Sequence, residues 1–217
     1  MVGESRRTPD YDLRGLNPER RAAIEAYAGH EVLDVGCGNG AYVLHFADKF
    51  RIRGVDHQRF EAWKLRPELF EISDAQKLAF PDASFDTLLC FETLEHLPDP
   101  GAALREYLRV CRQNLILTVP NCELTPGMRG AGLIFNHWID RTHVNFWTLD
   151  SISQQVVDAG FRVKARQHIN RLNLKAMVKE ALGGGASARL LSGIFQHAQR
   201  RDYFMTSLVV AEKAARS

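Results

Sequence analysis

The chain has 217 residues, 45% hydrophobic and 25% charged, and 28 Lys and Arg against 26 Asp and Glu leave a formal charge of +2. That length and apolar fraction suffice for one domain with a substantial core, so no disulfide or metal staple is required for folding. The longest apolar runs, such as Leu88-Leu89-Cys90-Phe91, fall far short of the roughly 20 residues that cross a bilayer, which excludes a spanning helix.

Residues 1–16 are polar and without hydrophobic periodicity; they read as a flexible N-terminal arm, with 17–217 forming a single domain. Arg6-Arg7 is followed by Thr8-Pro9-Asp10, where an export signal would need an apolar segment, so the expected location is cytoplasmic. Cys37, Cys90, Cys111 and Cys122 are scattered without a CxxC pair and are expected to be free thiols.

Asn17 can cap a first helix, with Pro18 in its first turn, Ile24 and Tyr27 on one face and Gly29 closing it. Residues 31–35 then form a short apolar strand, followed by Gly36, Gly38 and Gly40 and by apolar residues at helical spacing. Further strands are expected at 51–56, 70–72, 85–91 and 114–119, with a helix at 101–112 whose buried face is Leu104, Leu108 and Cys111. A helix at 151–159, a strand at 161–163 and a last strand at 204–211 complete the reading. Strands alternating with helices imply an α/β fold, a parallel sheet covered on both faces.

Glycines at 36, 38 and 40 allow positive φ and let backbone amides approach a ligand, while the following helix turns its positive end toward it. Asp56, ending the second strand, is placed to accept both hydroxyls of a ribose, and Asp74, after the third, can take an adenine amino group. The G-x-G-x-G spacing departs from the G-x-G-x-x-G of a dinucleotide site, which argues against the alternative of an NAD-dependent dehydrogenase. The bland alternative is a tight turn beside solvated strand ends.

Val32-Leu33-Asp34-Val35-Gly36-Cys37-Gly38-Asn39-Gly40, Gly54-Val55-Asp56, Asp74-Ala75 and the segment from Phe80 to Asp86 resemble the class I S-adenosylmethionine-dependent methyltransferases in order and spacing. The resemblance implies a Rossmann-like, seven-stranded, mostly parallel sheet ending in an antiparallel hairpin. It places Asp34, Gly36, Cys37 and Gly38 along the methionine part of S-adenosylmethionine, Asp56 at the ribose and Asp74 with Ala75 at the adenine, with Gly40 also in the cofactor site. His57 and Phe91 are counted with the same site.

Glu92, Glu95 and His96 follow the fourth strand at i, i+3 and i+4, a spacing that projects them to one side. Methyl transfer to a hydroxyl needs a group that orients it and removes its proton, which a histidine or a metal such as Mg²⁺ or Mn²⁺ can do. His143 is the candidate fourth member, with His137 and Asp140 as alternatives. The E-x-x-E-H pattern is similar to that of ubiquinone-pathway O-methyltransferases and small-RNA 2′-O-methyltransferases, which implies Glu92, Glu95, His96 and His143 as metal ligands. In the metal-free alternative Glu95, His96 and His143 remain as catalytic candidates.

Residues 121–150 carry Pro126, Gly127, Phe135, Trp138, Phe146 and Trp147, and with 166–202 they read as substrate-side insertions; the aromatics suit either an acceptor wall or a satellite core. From Arg162 to Arg201 there are nine Lys or Arg and one acid, Glu180, interspersed with aliphatics as two amphipathic helices flanking Gly183-Gly184-Gly185. Such helices can cover a sheet edge, lie on an anionic membrane or line a nucleic-acid groove. The expected function is O-methylation of a small acceptor such as a sugar or quinol. RNA ribose 2′-O-methylation is the alternative, and a non-catalytic S-adenosylmethionine-binding regulatory protein a third.

Overall fold

The computed structural model describes residues 16–130, 140–172, 174–198 and 202–214. The N-terminal arm apart from Leu16, together with Phe135, His137 and Trp138, lies outside them. Seven strands form one sheet: β1 (Glu31–Val35), β2 (Arg51–Asp56), β3 (Phe70–Ile72), β4 (Phe85–Phe91), β5 (Cys111–Pro120), β6 (Phe161–Arg171) and β7 (Phe204–Lys213). Their order is β3-β2-β1-β4-β5-β7-β6; β1 to β5 run parallel, and β7 lies antiparallel between β5 and β6.

Seven α-helices accompany the sheet among the described residues: α1 (Pro18–Tyr27), α2 (Ala41–Phe46), α3 (Pro100–Val110), α4 (Pro126–Gly130), α5 (Leu149–Asp158), α6 (Leu174–Ala181) and α7 (Ala186–Ala198). The strand side chains alternate between two cores, as the pleat requires. Leu33, Leu88, Cys90, Leu115 and Leu117 pack with α3 and α5 on one face. Val32, Leu89, Phe91, Ile116, Leu208 and Val210 meet α1 and α2 on the other. Burial on both faces is why the central strands read as continuous apolar runs.

Several boundaries differ from the sequence reading. The buried face of α3 is Ala103, Leu104, Tyr107 and Val110, and Cys111 opens β5 instead of closing the helix. Gly29 does not end α1, which is capped at Ala28; glycine is needed there because a Cβ would sit 2.5 Å from that of Asp86. β6 extends to Arg171, bulging between Val163 and Ala165, since antiparallel pairing with β7 continues past the apolar stretch. Residues 166–171 therefore belong to the sheet, and the helices of the second insertion begin at Leu174.

Because β1 to β5 are parallel, their carboxyl ends share one edge. β7 starts at that edge, with Thr206 opposite Pro120, and β6 ends there, with Arg171 opposite Phe204. The strand order reverses between β1 and β4, and in open α/β sheets the crevice at such a reversal is where ligands bind.

Candidate active site

The turn after β1 occupies this crevice, with Gly36, Gly38 and Gly40 at φ of 72°, 54° and 79°. A Cβ on Gly36 would lie 2.2 Å from Thr93 Oγ1, and one on Gly40 would lie 2.4 Å from the Phe70 ring, so packing alone demands those two glycines. Around Gly38 a Cβ would meet nothing within 4 Å. That glycine faces open space.

The expectation that the turn's amides approach a ligand is corrected for Gly36, Cys37, Gly38 and Gly40. Gly36 and Cys37 N–H donate to the Val55 carbonyl at 2.8 and 3.0 Å, Gly38 N–H to Asp56 Oδ2 at 2.9 Å and Gly40 N–H to the Cys37 carbonyl at 2.9 Å. Three of these donors are spent closing the loop onto β2 and the fourth within the turn, and α2, only six residues long, adds little dipole. What the turn offers is room above Gly38.

The acids gather around it. Asp34 is buried at the end of β1, and desolvation with the nearby Asp56 charge raises its pKa to about 7. Asp56, also buried, additionally accepts from Gln58 N–H at 3.3 Å and lies 2.8 Å from His57 Nδ1. Asp74 is exposed just beyond β3 and accepts from Gln76 N–H at 2.8 Å, with Ala75 half-buried beside it. Burial raises the Cys37 thiol pKa far above its usual range, so it lines the turn as a neutral group.

Two residues unassigned in the sequence reading belong here. Trp63 Nε1–H donates to the Gly38 carbonyl at 2.8 Å, and its ring stacks on Phe70 at 4.9 Å, pinning the turn from the β2 side. Arg20, from α1, reaches Glu92 Oε1 at 2.5 Å and lies 5.1 Å from the centre of the Phe91 ring. Tyr42 packs 5.0 Å from the same ring. No local pattern flagged Arg20, because its contact with Glu92 spans 72 positions.

That ion pair corrects the grouping of Glu92 with Glu95 and His96. Glu92 adopts a left-handed backbone, φ 50°, as the chain leaves β4, and Leu94–His96 form a 3-10 turn instead of an α-helix. The i, i+3, i+4 coincidence of an α-helix is lost, and Glu92 turns toward α1.

Glu95, His96 and His143 do come together, each offering a ligating atom within 4.8 Å of the others. The segment bearing His143 is zipped onto the 3-10 turn: Val144 and Asn145 N–H donate to the Glu95 carbonyl at 2.8 and 3.2 Å, and the Asn145 amide to the Leu97 carbonyl at 2.7 Å. The imidazoles of His96 and His143 meet edge to face at 4.7 Å. His96 Nδ1 lies 3.2 Å from the Thr142 carbonyl, which can only accept, so the proton sits on Nδ1 and Nε2 keeps its lone pair.

Desolvation, partly offset by the Thr142 carbonyl and joined by the neighbouring His143, lowers the His96 pKa and keeps that ring neutral. Glu95 is 1% exposed, and neither of its carboxylate oxygens has a hydrogen-bond partner. Burial, then the Glu92 charge, pushes its pKa well above the carboxylate range. Nearby, Trp147 belongs to the core and donates to Gln155 Oε1 at 2.6 Å, whereas Phe146 is exposed.

A "Methyltransferase domain" family model matches residues 33–119. An O-methyltransferase of Pyrenophora dematioidea is 30% identical over 203 residues, covering 85% of this chain and 75% of the relative. The chain is a class I S-adenosylmethionine-dependent methyltransferase. The methyltransferase is also 27% identical over 183 residues to the 27-O-demethylrifamycin SV methyltransferase of Amycolatopsis mediterranei, covering 78% of this chain and spanning 65% of that relative's length. A crystal structure of a SAM-dependent methyltransferase from Archaeoglobus fulgidus shares its fold at a TM-score of 0.68 and 20% identity, over 93% of this chain and 95% of that one. S-adenosylmethionine is thus the methyl donor. No helix among the methyltransferase's described residues is long and apolar enough to cross a membrane.

Proposed function

We propose that the enzyme methylates a hydroxyl oxygen of a small acceptor, a sugar, quinol or related metabolite. The observation that carries this reading is the neutral His96, its Nε2 lone pair free of the Thr142 contact, set beside His143 and the buried Glu95 at the edge where the cofactor binds. The relatives' names, O-methyltransferase and 27-O-demethylrifamycin SV methyltransferase, support oxygen as the atom methylated.

Gly38 would hold the methionine part of S-adenosylmethionine, Asp56 its ribose, and Asp74 with Ala75 its adenine. Asp34 and Glu92 provide anions for the α-ammonium, and Arg20 supplies a cation for the α-carboxylate, an arrangement complementary to an amino-acid zwitterion. When bound, S-adenosylmethionine would supply the electrophilic sulfonium methyl for transfer to the acceptor oxygen. His96 Nε2 takes the hydroxyl proton, and His143 holds the ring in place. His96→Ala and His143→Ala should each lower kcat by about 100-fold while leaving cofactor affinity unchanged. Wild-type turnover in both variants would overturn the assignment. Affinity for RNA that falls steeply with salt would instead favour ribose methylation.

A second reading rests on the unpartnered Glu95 oxygens. Glu95, His96 and His143 fit as ligands of one divalent cation, Mn²⁺ being better suited than Mg²⁺ to two imidazoles, whereas Glu92 is held by Arg20. Such an ion would supply Lewis acidity to an acceptor hydroxyl. Mn²⁺ titration by calorimetry and paramagnetic resonance, repeated on His143→Ala, tests it; no uptake by the wild type rules the ion out.

A further inference from the structure

Among the described residues, the helical insertion between β6 and β7 carries the largest cluster of exposed large hydrophobics along the chain. Its base is clamped where the ladder ends, by Leu172 N–H donating to the Tyr203 carbonyl at 2.7 Å and by Arg171 pairing with Asp202 at 2.6 Å. Beyond that base α6 and α7 pack on each other, with Ala188 and Ser192 fully buried on the inner side of α7. A turn through Gly183 and Gly184, at φ of 75° and 78°, joins them.

The outer side is apolar. Leu190, Leu191 and Ile194, at helical spacing, are 67%, 48% and 58% exposed, and Leu182 at the turn is 47% exposed. The other exposed large hydrophobics of the described residues, Leu65, Ile72, Val144, Phe146, Val157 and Met205, come from five separate segments of the chain. Lys175, Lys179 and Arg189 on the same two helices are exposed and have no ion pair among the described residues. An aliphatic face with free cations is the composition of a helix lying at an anionic lipid interface. A second copy would set these cations against themselves, and a phosphate backbone alone gives the leucines nothing to bury against.

Position adds a consequence. The hairpin rises from the carboxyl edge of the sheet, the edge that also carries Glu95 and His96. We infer that α6 and α7 dock on an anionic bilayer surface, and that the acceptor is an amphiphile whose hydroxyl is presented from that bilayer. The second half of this inference rests on the proposed O-methylation; the first does not.

Flotation of the full chain with phosphatidylcholine vesicles, with and without about a quarter phosphatidylglycerol, tests the docking. The protein should rise with the anionic vesicles only and be released by high salt. Leu190→Glu/Ile194→Glu and, separately, Lys175→Glu/Lys179→Glu/Arg189→Glu should each weaken the partition by about 100-fold. Cofactor affinity within twofold of wild type, measured by calorimetry, confirms that a variant is folded. Failure of the wild type to float, or equal flotation of both variants, overturns the inference. So does a concentration-dependent dimer that Leu190→Glu dissociates, which would show that a second copy covers the face. Loss of cofactor binding by the wild type would defeat the methyltransfer reading and leave flotation standing. If the protein floats yet turns over water-soluble acceptors equally with and without vesicles, docking stands and the acceptor assignment falls.

Discussion

The turn after β1 and the joint between α6 and α7 are both glycine-rich, yet they do opposite things. In the first, a Cβ added to Gly36 or Gly40 would lie 2.2 or 2.4 Å from Thr93 or Phe70; in the second, one added to Gly183 or Gly184 would meet nothing within 4 Å. Positive φ is common to both. The difference is that one glycine turn is locked between β2, β3 and β4 to shape a cofactor crevice, while the other joins two helices outside the sheet. Glycine content alone says that the chain turns; the neighbours decide whether the turn is a site.

Breaking that contrast gives the largest expected effect. Gly36→Ala forces a Cβ into Thr93 at a left-handed φ and should cost about 4 kcal/mol, combining overpacking with backbone strain; urea denaturation checks this. Gly38→Ala, by contrast, should cost about 1 kcal/mol of stability and act mainly on cofactor affinity, because its methyl enters the open space. If calorimetry finds the Gly38 variant binding S-adenosylmethionine normally, the crevice has been misplaced.

The acids sharpen the picture at an intermediate scale. Asp56→Ala should weaken cofactor binding by about 2 kcal/mol through lost hydroxyl partners. Arg20→Ala should do so by about 1.5 kcal/mol, in a salt-dependent way, if it meets the carboxylate.

Asp34 adds a pH dependence. Its carboxyl holds a proton until about pH 7 in the free enzyme, and only the anion attracts the cofactor ammonium. Affinity should therefore rise about tenfold from about pH 6 to about pH 8 and level off, with proton release on binding below the plateau. Free-enzyme stability should run the other way. The unfolded carboxyl ionises near 3.8 and the folded one only near 7, so stability falls as pH climbs through that window. Asp34→Asn should flatten both curves.

The smallest effect belongs to the other joint. Gly184→Ala has room and only its φ to strain, so global stability should fall by about 1 kcal/mol or less, and cofactor affinity should not change.

Much of the cofactor half was legible because its signals are local. β1 to β4 lie on the apolar runs at 31–35, 51–56, 70–72 and 85–91, and Asp56 ends its strand as read from the sequence. The acceptor half was less so. Glu92 left the predicted group because a left-handed residue and a 3-10 turn replaced helical spacing. Asn17 caps α1 as expected, but its amide also donates to Asn170 at 2.7 Å, tying the start of α1 to the end of β6. Trp147 looked equally suited to a wall or a core and proved to be core.

The sequence by itself determined the alternation of elements, the turn that must be glycine and the acids that follow the strands, since each is written in periodicity or in φ over a few residues. Tertiary structure alone decided that Arg20 meets Glu92, that Glu95, His96 and His143 gather without Glu92, and that the amides of Gly36, Cys37 and Gly38 go to β2. Those outcomes depend on which distant segments share one sheet edge, and burial and pairing across that edge are cooperative properties that no short window of sequence contains.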